Sequence, residues 1–375
     1  MIEELSFFAL LAPTLIYGFI LVLHTLLPAR RIPGYVVDPK TQQPQVYRLN
    51  GLLVLIIVLG CFLLAATAGW TDPAWFYNER WSLLIGACVH GLVYTLALVL
   101  PAPATGKGLL KDLFLGRIEN RKVFDCIENR KVFDGVDTKM YLYLAGAVML
   151  VLNAVSFAVA HHQLYGALAN PGVYVHAGLL VLFVIDYLWF EQVHLYTYDL
   201  FAERLGFKLA WGCLVFYPFF YPVGLWGTTD LPIPATIASA GGYWLVMSIG
   251  LFVLGWTIAR GANMQKYTFK RYPDRVFLGF MQPEVIGNGP LKLLCSAYWG
   301  VSRHINYLGE ILMALGIAAS LGHLDSIWPW LYPLYYVLLL VPRERDDDRR
   351  CAAKYGAHWT EYKRQVPYRI VPGIY

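Results

Sequence analysis

The sequence predicts an all-α polytopic membrane protein, a helix bundle of about nine to ten transmembrane helices. The chain is 58% hydrophobic and only 15% charged, which is too apolar for a soluble domain of 375 residues. Long apolar runs recur along the whole chain, and basic residues are concentrated in alternate connections between them. A bundle of spanning helices accounts for both the composition and its order along the chain.

The candidate spans are runs of about 17 or more mostly apolar residues, long enough to cross a bilayer as helices. The first run is not expected to be a cleaved signal peptide, because Glu3 and Glu4 stand where such a peptide carries basic residues. A re-entrant or surface element within 343–375 would raise the count to ten. The nine runs lie near 6–28, 51–69, 81–100, 140–160, 173–190, 208–227, 235–258, 305–321 and 325–341.

Basic residues orient this bundle. With nine spans, the connections on the side of the C-terminus carry 29 of the 30 Lys and Arg residues, and the other side keeps only Arg80. Because cytoplasmic loops retain positive charge, we expect the C-terminus and the loops 101–139 and 259–304 in the cytoplasm. The net charge of +5 therefore reflects topology and does not indicate nucleic-acid binding. The membrane is expected to be a bacterial inner membrane or the endoplasmic reticulum.

Labelling of single cysteines in sealed vesicles tests this orientation, in a background whose native cysteines are replaced. A cysteine introduced at Tyr375 should react with a membrane-impermeant reagent only from the cytoplasmic face, because the basic connections keep that end inside. A cysteine at Arg80 is the matched control and should react only from the opposite face. Reaction at position 375 from the external face alone would contradict the orientation.

Cysteines and histidines show no spacing typical of a metal site. The six cysteines stand far apart, three within spans and three on the reducing cytoplasmic side, and no HExxH motif occurs. The sequence therefore predicts neither disulfide bonds nor a bound metal.

An octapeptide, Ile-Glu-Asn-Arg-Lys-Val-Phe-Asp, occurs at 118–125 and again at 127–134. We interpret it as a local tandem duplication that lengthens a cytoplasmic loop.

Two lysines mark a candidate phosphate site. If the helix of the seventh span continues through 263–271, Lys266 and Lys270 are four residues apart and share one face. Two ammonium groups on one face form a clamp for phosphate. The alternative is that both lysines serve only topology and lipid headgroups, as basic residues just inside a membrane usually do.

The C-terminal segment carries a second polar face. A stripe at helical spacing alternates donors and acceptors suited to ribose, pyrophosphate and carboxamide groups. Its members are Arg343, Asp347, Cys351, Lys354 and Tyr355.

The ends and the other faces of this C-terminal helix are also predicted. Pro342 is expected to begin the helix and Gly356 to end it. The remaining charged residues are expected to form a solvated salt-bridge network away from the stripe. They are Arg345, Asp346, Asp348, Arg349 and Arg350.

Five blocks of residues carry a family resemblance. They are Leu115, Gly116 and Arg117 with Asp137, Lys139 and Met140; Asp199 with 206–212; Asn263 with Gln265, Lys266 and Phe269; Trp299 and Gly300 with Arg303, His304, Asn306, Tyr307 and Gly309; and 343–375. On these blocks the chain resembles the sterol reductases, which reduce double bonds at C14, C7 or C24(28) of sterols and include the sterol-reductase domain of the lamin B receptor.

The resemblance extends over about 110–375, and residues 1–100 are weakly diagnostic. It implies one integral-membrane domain, 1–375, whose cofactor- and substrate-binding part is 101–375. The chain departs from the family pattern where the duplicated segment replaces a Leu-Asn-Pro-Arg stretch. It also carries Glu310 where Asp is common and Lys270 where Arg is common.

The resemblance implies NADPH as the reductant. No GxGxxG motif follows a strand, so helix faces and the cytoplasmic ends of helices and loops must hold the cofactor. Carried over by residue, Lys266 and Lys270 would contact phosphates, and the surplus of cations suits the 2′-phosphate. The other cofactor-binding residues would be Trp299, Arg303, Asn306, Arg343, Asp347, Cys351, Lys354 and Tyr355.

The implied chemistry requires a proton donor in an apolar cavity. An isolated ring alkene is not an electrophile, so protonation must precede or accompany hydride transfer. We favour Tyr221 and Asp347 as the donor system, with Glu191 and Asp199 as supporting residues or partners of the sterol 3-hydroxyl. The other ionisable or phenolic candidates are Asp186, Tyr217 and Tyr307, and packing is the favoured role of Tyr217.

Three other functions stay open on the sequence. Isoprenylcysteine carboxyl methyltransferases share the Arg-His-x-x-Tyr-x-Gly pattern of 303–309, but their S-adenosylmethionine has no phosphates for the lysines. The other two are a non-catalytic sterol-binding protein and an enone reductase of the steroid 5α-reductase type. Among sterol reductases, 303–309 favours C14 or C7, while 211–215 and 372–375 are similar to C24(28) enzymes. We favour C14, with a sterol and membrane lipids as partners and the oligomeric state undetermined.

Overall fold

The computed structural model of the protein describes residues 5–38, 41–119 and 136–375. The duplicated segment lies almost wholly outside these residues. The chain divides into two compact units, an N-terminal unit of Met1–Pro232 and a C-terminal unit of Ile233–Tyr375. The expectation of one domain over 1–375 stays a prediction.

The helices of the N-terminal unit surround α6, most of whose side chains are buried. Gly146 lets the backbone near Cys213 approach α6 closely, because a Cβ on residue 146 would overlap the Cys213 carbonyl oxygen. In chain order the helices are α1 (Phe7–Leu26), α2 (Gly51–Thr67), α3 (Trp75–Asn78), α4 (Arg80–Val99), α5 (Leu109–Leu115), α6 (Thr138–Tyr165), α7 (Pro171–Trp189), α8 (Glu191–His194), α9 (Tyr198–Phe201), α10 (Phe207–Trp211), α11 (Tyr217–Phe220) and α12 (Val223–Thr228).

The sixth predicted span is helical but interrupted. Between α10 and α11 the chain forms a π-helical turn, Gly212–Phe216. Pro218 and Pro222 follow it and lack the amide hydrogens of a regular helix. Asn153 on α6 donates its side-chain Nδ2 to the Pro218 carbonyl at 2.9 Å. The break is therefore stabilised by a polar side chain from the neighbouring helix, as irregular backbone inside a membrane requires.

A β-hairpin in the N-terminal unit was not predicted. Strands β1 (Arg30–Val37) and β2 (Pro44–Leu49) pair antiparallel, with Arg30 opposite Leu49 and Ile32 opposite Tyr47. Alternation of apolar and polar residues in 44–49 was the available signal, because Tyr47 and Leu49 are buried while their neighbours are more exposed.

The C-terminal unit contains α13 (Ala235–Ala238), α14 (Tyr243–Arg271), α15 (Tyr298–Val301), α16 (Ile305–Ser320), α17 (Ile327–Tyr355) and α18 (Ala357–Gln365), with a short pair of strands, β3 (Val285–Ile286) and β4 (Leu293–Leu294). Helices α14 and α16 pack backbone against backbone. A Cβ atom on Gly309 would lie 2.6 Å from the Gly255 carbonyl oxygen, and one on Gly316 would lie 2.6 Å from the Ser248 carbonyl oxygen. Small residues are what allow two helices in a membrane to approach so closely.

Helix α17 corrects the predicted start of the C-terminal helix. Pro342 does not begin a helix: it lies inside α17, which starts at Ile327 and joins the ninth predicted span to the polar stripe. A proline that costs one main-chain hydrogen bond is tolerated where the rest of a long helix continues on both sides. The predicted end is confirmed, because Gly356 follows Tyr355 with a φ of 54°.

The predicted fold class is confirmed. Within the described part of the chain, six helices are long and apolar enough to cross a membrane. They are Phe7–Leu26, Arg80–Val99, Thr138–Leu168, Pro171–Trp189, Phe207–Thr228 and Tyr243–Arg271. The second and eighth predicted spans correspond to the shorter apolar helices Gly51–Thr67 and Ile305–Ser320, and the ninth forms the first part of α17.

Candidate functional site

The two predicted clamp lysines lie on one continuous helix. Helix α14 runs on to Arg271, so Lys266 and Lys270 share one face, and both are half-buried. The Lys266 ammonium lies 4.9 Å from the centre of the Trp299 indole ring. That ring is buried and is held by a hydrogen bond from its Nε1 to the Ala262 carbonyl, 2.9 Å long. The indole thus stabilises one cation of the pair.

A third lysine joins these two. Lys270 is within electrostatic range of Lys266 and of Lys354, which is exposed near the end of α17. Three like charges repel one another, so the cluster favours an anion among them. The structure therefore brings together the two lysines of α14 and one lysine of the C-terminal stripe.

The segment before α16 is bonded to the C-terminal segment. The main-chain N–H groups of Arg303 and His304 donate to the carbonyls of Tyr368 and Arg369, at 3.0 and 2.8 Å. The Ser302 hydroxyl donates to the Ile370 carbonyl at 2.9 Å. These hydrogen bonds fix residues 302–304 against residues 368–370, in the way that neighbouring strands are joined.

Arg303 has a contact that its predicted role did not anticipate. Its Nη1 donates to the carbonyls of Val366 and Pro367, at 2.9 and 3.0 Å, and the side chain is buried. Burial lowers the pKa of its guanidinium, which remains charged at physiological pH. The contacts make Arg303 an anchor for the C-terminal segment, and its contact with a cofactor stays a prediction.

His304 was missed as a site residue, although it stands within the block that carries the resemblance. Its Nε2 lies 4.0 Å from Oδ2 of Asp347, and its ring stacks on Tyr307 with centroids 4.9 Å apart. Burial, together with the charges of Lys266, Arg303 and Arg369, lowers the pKa of His304 to about 3. The imidazole is therefore neutral near pH 7, and its approach to Asp347 is a polar contact between a neutral ring and a carboxyl group.

Asp347 lies where the cation cluster and the buried ring meet. Burial raises the pKa of its carboxyl group, and the nearby charges of Lys266 and Arg350 only partly oppose the shift. Because the desolvated carboxyl favours its neutral form, Asp347 holds a proton to a higher pH than an exposed aspartate does.

Cys351 and Tyr355 continue the stripe toward the interior of the unit. Cys351 packs against the cluster formed by Tyr355, Trp359 and Tyr362. Burial raises the pKa of the Cys351 thiol to about 12, so it stays protonated and is not a nucleophile. The two residues form an apolar wall beside Asp347.

Asn306 and Gln265 present buried oxygen atoms in the same unit. Asn306 Nδ2 donates to Oδ1 of Asn263 at 3.2 Å, and Gln265 Nε2 donates to the Ser296 carbonyl at 3.3 Å. Within the described part of the chain, Oδ1 of Asn306 and Oε1 of Gln265 are buried without a hydrogen-bond partner. Such atoms are the acceptors that a ligand with amide or hydroxyl donors would satisfy.

Glu344 was also missed, and its role is structural. Its carboxylate is fully buried and accepts hydrogen bonds from Nη1 of Arg369 at 3.1 Å on both oxygens. The Tyr375 hydroxyl donates to the same group at 3.4 Å. Arg343, the neighbouring stripe residue, is half-buried one turn before Asp347. A lone Glu beside this stripe was the only signal in the sequence.

The predicted solvated network is correct for one part of the helix and wrong for another. Asp346 pairs with Arg349 and Arg350 at 3.3 and 2.9 Å on the exposed side of α17. Asp348 instead accepts a hydrogen bond from Nε1 of Trp359 at 3.0 Å, because α18 turns back against α17. Asp348 therefore ties two helices together.

The other three predicted catalytic residues lie in the N-terminal unit. Tyr221 is half-buried between α11 and α12, with its ring centre 4.6 Å from that of Tyr217. Asp199, on α9, is half-buried and acts electrostatically on the fully buried Lys139, whose Nζ donates to the Leu200 carbonyl at 2.8 Å. Their catalytic roles stay predictions.

Glu191 caps a helix. It is buried, and its Oε2 accepts a hydrogen bond from the Gly51 N–H at 3.1 Å, at the first residue of α2. The absence of a side chain on Gly51 makes room for this carboxyl group, because a Cβ on residue 51 would lie 2.6 Å from Oε1 of Glu191. A carboxyl group at a helix N-terminus satisfies one of the free N–H groups. A part in catalysis by Glu191 stays a prediction.

Comparison with known proteins agrees with the resemblance. A model of the "Ergosterol biosynthesis ERG4/ERG24 family" matches residues 6–375. The chain belongs to this family. The resemblance to sterol reductases is thereby confirmed over nearly the whole chain, including the first hundred residues.

Similar proteins include two whose names contain Delta(14)-sterol reductase. The Delta(14)-sterol reductase of Arabidopsis thaliana is 31% identical over 361 residues, which cover 96% of this chain and 94% of that protein. The Delta(14)-sterol reductase TM7SF2 of Mus musculus is 32% identical over 389 residues, covering 100% of this chain and 87% of that protein. A Probable 7-dehydrocholesterol reductase of Acanthamoeba polyphaga mimivirus is 30% identical over 342 residues, with 88% and 72% covered.

Replacement of Glu191 by Gln tests the cap. Burial raises the pKa of Glu191 from 4.5 to about 7, so the folded chain binds a proton that the unfolded chain has already lost over that range. Folded-state stability from this group is thus present at low pH and is lost as the pH rises toward 7, by up to about 3 kcal/mol. Glu191→Gln keeps an acceptor for Gly51 and should flatten this part of the thermal-unfolding profile measured in detergent between pH 5 and 8.

Glu361→Gln is the matched control, because Glu361 is exposed on α18 and the change should leave the profile unaltered. A profile of Glu191→Gln that parallels the unchanged protein across this range would show that Glu191 does not titrate there.

Proposed function

We propose that this protein is an NADPH-dependent sterol reductase that reduces the C14–C15 double bond. The observation that carries the proposal is the cluster of Lys266, Lys270 and Lys354, in which Lys266 lies over the Trp299 ring and within electrostatic range of Asp347. Membership of the ergosterol-biosynthesis family and the names of two relatives support a sterol as the substrate and C14 as the position.

The residues of the C-terminal unit fit a phosphorylated nicotinamide cofactor. Three lysines offer counter-charges for phosphate groups, and the unsatisfied oxygens of Asn306 and Gln265 offer acceptors for amide or hydroxyl donors. S-adenosylmethionine carries no phosphates, so a methyltransferase would not explain why three lysines are clustered here. We infer that Lys266, Lys270 and Lys354 hold phosphates, and that Trp299, Asn306, Arg343, Cys351 and Tyr355 line the rest of the cofactor, with Arg303 placing the loop.

The protein's own residues must supply the proton. When bound, NADPH supplies the hydride. Asp347 is suited to hold a proton, because its burial favours the neutral carboxyl group, and the neutral ring of His304 lies nearby, with its Nε2 4.0 Å from Oδ2 of Asp347. In the N-terminal unit, Tyr221 is a further proposed donor, with Glu191 and Asp199 in support. Protonation of the sterol alkene places positive charge on the more substituted carbon, which the hydride then neutralises.

A C7 reductase is the second candidate. The mimivirus relative carries a 7-dehydrocholesterol reductase name at nearly the same identity. Two relatives named for C14 and one named for C7 favour the C14 bond, and a C24(28) reductase has no such support among these relatives.

We also propose that the C-terminus and the lysine cluster face the cytoplasm, where the bias of basic residues is expected to put them and where NADPH is available.

Removal of the lysine pair tests the cofactor site. Lys266→Ala/Lys270→Ala should weaken NADPH binding by roughly tenfold to a hundredfold for each lost contact, because each charge-assisted hydrogen bond contributes about 1.5–3 kcal/mol. Isothermal titration of the detergent-solubilised protein measures this, and sterol affinity should change little. Lys363→Ala/Arg364→Ala removes the same charge from α18 as a matched control. An NADPH affinity equal to that of the unaltered protein in the α14 double variant would contradict the clamp.

Turnover in D2O tests the reaction and the donor. The purified protein is incubated with NADPH and, separately, with sterols unsaturated at C14, C7, C24(28) and C24. We expect reduction of the C14 sterol with one solvent-derived deuterium, because an exchangeable acid of the protein supplies one of the two hydrogens. Asp347→Asn and Tyr221→Phe should each reduce kcat by about a hundredfold or more, with NADPH binding unchanged in Tyr221→Phe.

The outcomes separate the parts of the proposal. Full activity in Asp347→Asn and Tyr221→Phe would remove both residues from the donor role while leaving the reductase assignment intact. Reduction of the C7 sterol alone would select the second candidate. If none of the four sterols were reduced by protein that still binds NADPH, the substrate assignment would be wrong.

A further inference from the structure

Helix α5 exposes apolar side chains although it is too short to cross a membrane. Its seven residues, Leu109–Leu115, extend about 10 Å. Leu110 is 84% exposed, and Leu109 and Phe114 are 55% and 53% exposed. Exposed apolar side chains on the long helices are explained by spanning, whereas those of α5 require another apolar partner.

The helix is nevertheless held firmly in this position. Asp112 is buried and accepts hydrogen bonds from the Thr105 N–H and hydroxyl and from Nε of Arg117, the last at 2.8 Å. Nη1 of Arg117 donates to the Ala102 carbonyl at 2.8 Å and to the Val99 carbonyl at 3.3 Å, at the end of α4. A buried ion pair thus fastens α5 to the end of a spanning helix, so the exposed leucines are built into the fold.

A groove runs between α5 and the last turns of α4. It has a volume of about 190 Å³, and the side chains that line it are almost wholly apolar. Its residues are Leu92, Thr95 and Leu96 of α4, Leu110, Leu113 and Phe114 of α5, and Phe207 of α10. Because Leu92 and Leu96 belong to a spanning helix, the groove continues a surface that faces the acyl chains of the bilayer.

Basic side chains border the same helix. Lys107 and Lys111 are exposed, one just before α5 and one in its first turn. Apolar side chains with lysines beside them, at the end of a spanning helix, are the pattern of a segment that lies at the level of lipid headgroups.

We propose that α5 and this groove form a binding site for an anionic phospholipid. An acyl chain lies in the groove against Leu96, Leu110 and Phe114, and the phosphate is held by Lys107 and Lys111. The predicted topology puts this connection on the cytoplasmic side, where anionic lipids attract basic residues. The site is independent of the cofactor and substrate residues, so it stands or falls separately from the proposed function.

Native mass spectrometry of the detergent-solubilised full chain tests the site, with dioleoylphosphatidylglycerol and dioleoylphosphatidylcholine as probes. The unaltered protein should retain phosphatidylglycerol more tightly than phosphatidylcholine. Lys107→Ala/Lys111→Ala should weaken phosphatidylglycerol binding by roughly fivefold for each lysine and abolish the preference, with a smaller loss for phosphatidylcholine, because its choline group offsets the charge of the phosphate. Leu110→Gln should weaken both lipids by roughly tenfold, because the acyl chain loses an apolar contact.

Two controls keep the test specific. Leu168→Gln replaces a leucine that is 80% exposed just after α6, away from the groove residues, and should change neither affinity. The lysine variant alters only exposed side chains, so its thermal unfolding midpoint in lipid-free detergent should equal that of the unaltered protein. Equal retention of the two lipids by the unaltered protein, or unchanged phosphatidylglycerol binding in the lysine variant, would overturn the proposal. Equal losses in Leu110→Gln and Leu168→Gln would also overturn it.

Discussion

The candidate site depends above all on the pairing of 302–304 with the C-terminal segment 366–370. Hydrogen bonds from the main chain, from the Ser302 hydroxyl and from the Arg303 guanidinium join the two segments. The Tyr362 hydroxyl adds a bond to the Trp299 carbonyl at 2.9 Å. Because these groups are buried, each bond that was lost would leave a desolvated donor or acceptor, which costs about 1–3 kcal/mol. The pairing therefore places both the indole beneath Lys266 and the imidazole beside Asp347.

Charges in the C-terminal unit fall into two kinds. Glu344 and Arg369 form a closed pair, in which a fully buried carboxylate is neutralised by a guanidinium that reaches it with two hydrogen bonds. Lys266, Lys270 and Lys354 instead form a cluster of like charge, and Asp347 lies within electrostatic range of Lys266. A neutralised pair serves the fold, whereas a cluster of like charges is stabilised by an added anion. This difference is the physical basis for assigning one to structure and the other to cofactor binding.

The N-terminal unit shows how a membrane protein retains irregular backbone. The π-helical turn after α10, and the prolines beyond it, leave main-chain groups that a regular helix would have paired. The Asn153 side chain donates a hydrogen bond to one of these groups, the Pro218 carbonyl, and Glu191 accepts one from the N–H group at the start of α2. Polar side chains in this unit therefore stabilise main-chain groups by hydrogen bonds, and a buried carboxyl group is not by itself a sign of catalysis. At the end of α4, by contrast, α5 keeps its apolar side chains outside the unit, where lipid can cover them.

Local patterns in the sequence determined the membrane class, the positions of most apolar helices, and the family. They also placed Lys266 with Lys270, and Asp347 with Cys351, because residues four apart on a helix share a face whatever surrounds it. The first residue of α17 could not be predicted from such local patterns. Pro342 is a good first residue of a helix, and only the packed helix on both sides of it decides that it lies inside one.

Contacts between residues far apart in the chain were decided by the tertiary structure alone. Arg303 reaches carbonyls more than sixty residues away, His304 meets Asp347, and Asp348 turns to Trp359 instead of solvent. The spacing of residues along one helix does not predict such contacts, because they depend on which face of another helix or loop packs against it. The same holds for burial, which raises the pKa of Asp347 and lowers that of His304. Most residues of the candidate site were thus predicted from the sequence by itself. Their pKa shifts and hydrogen-bond partners are determined by tertiary packing.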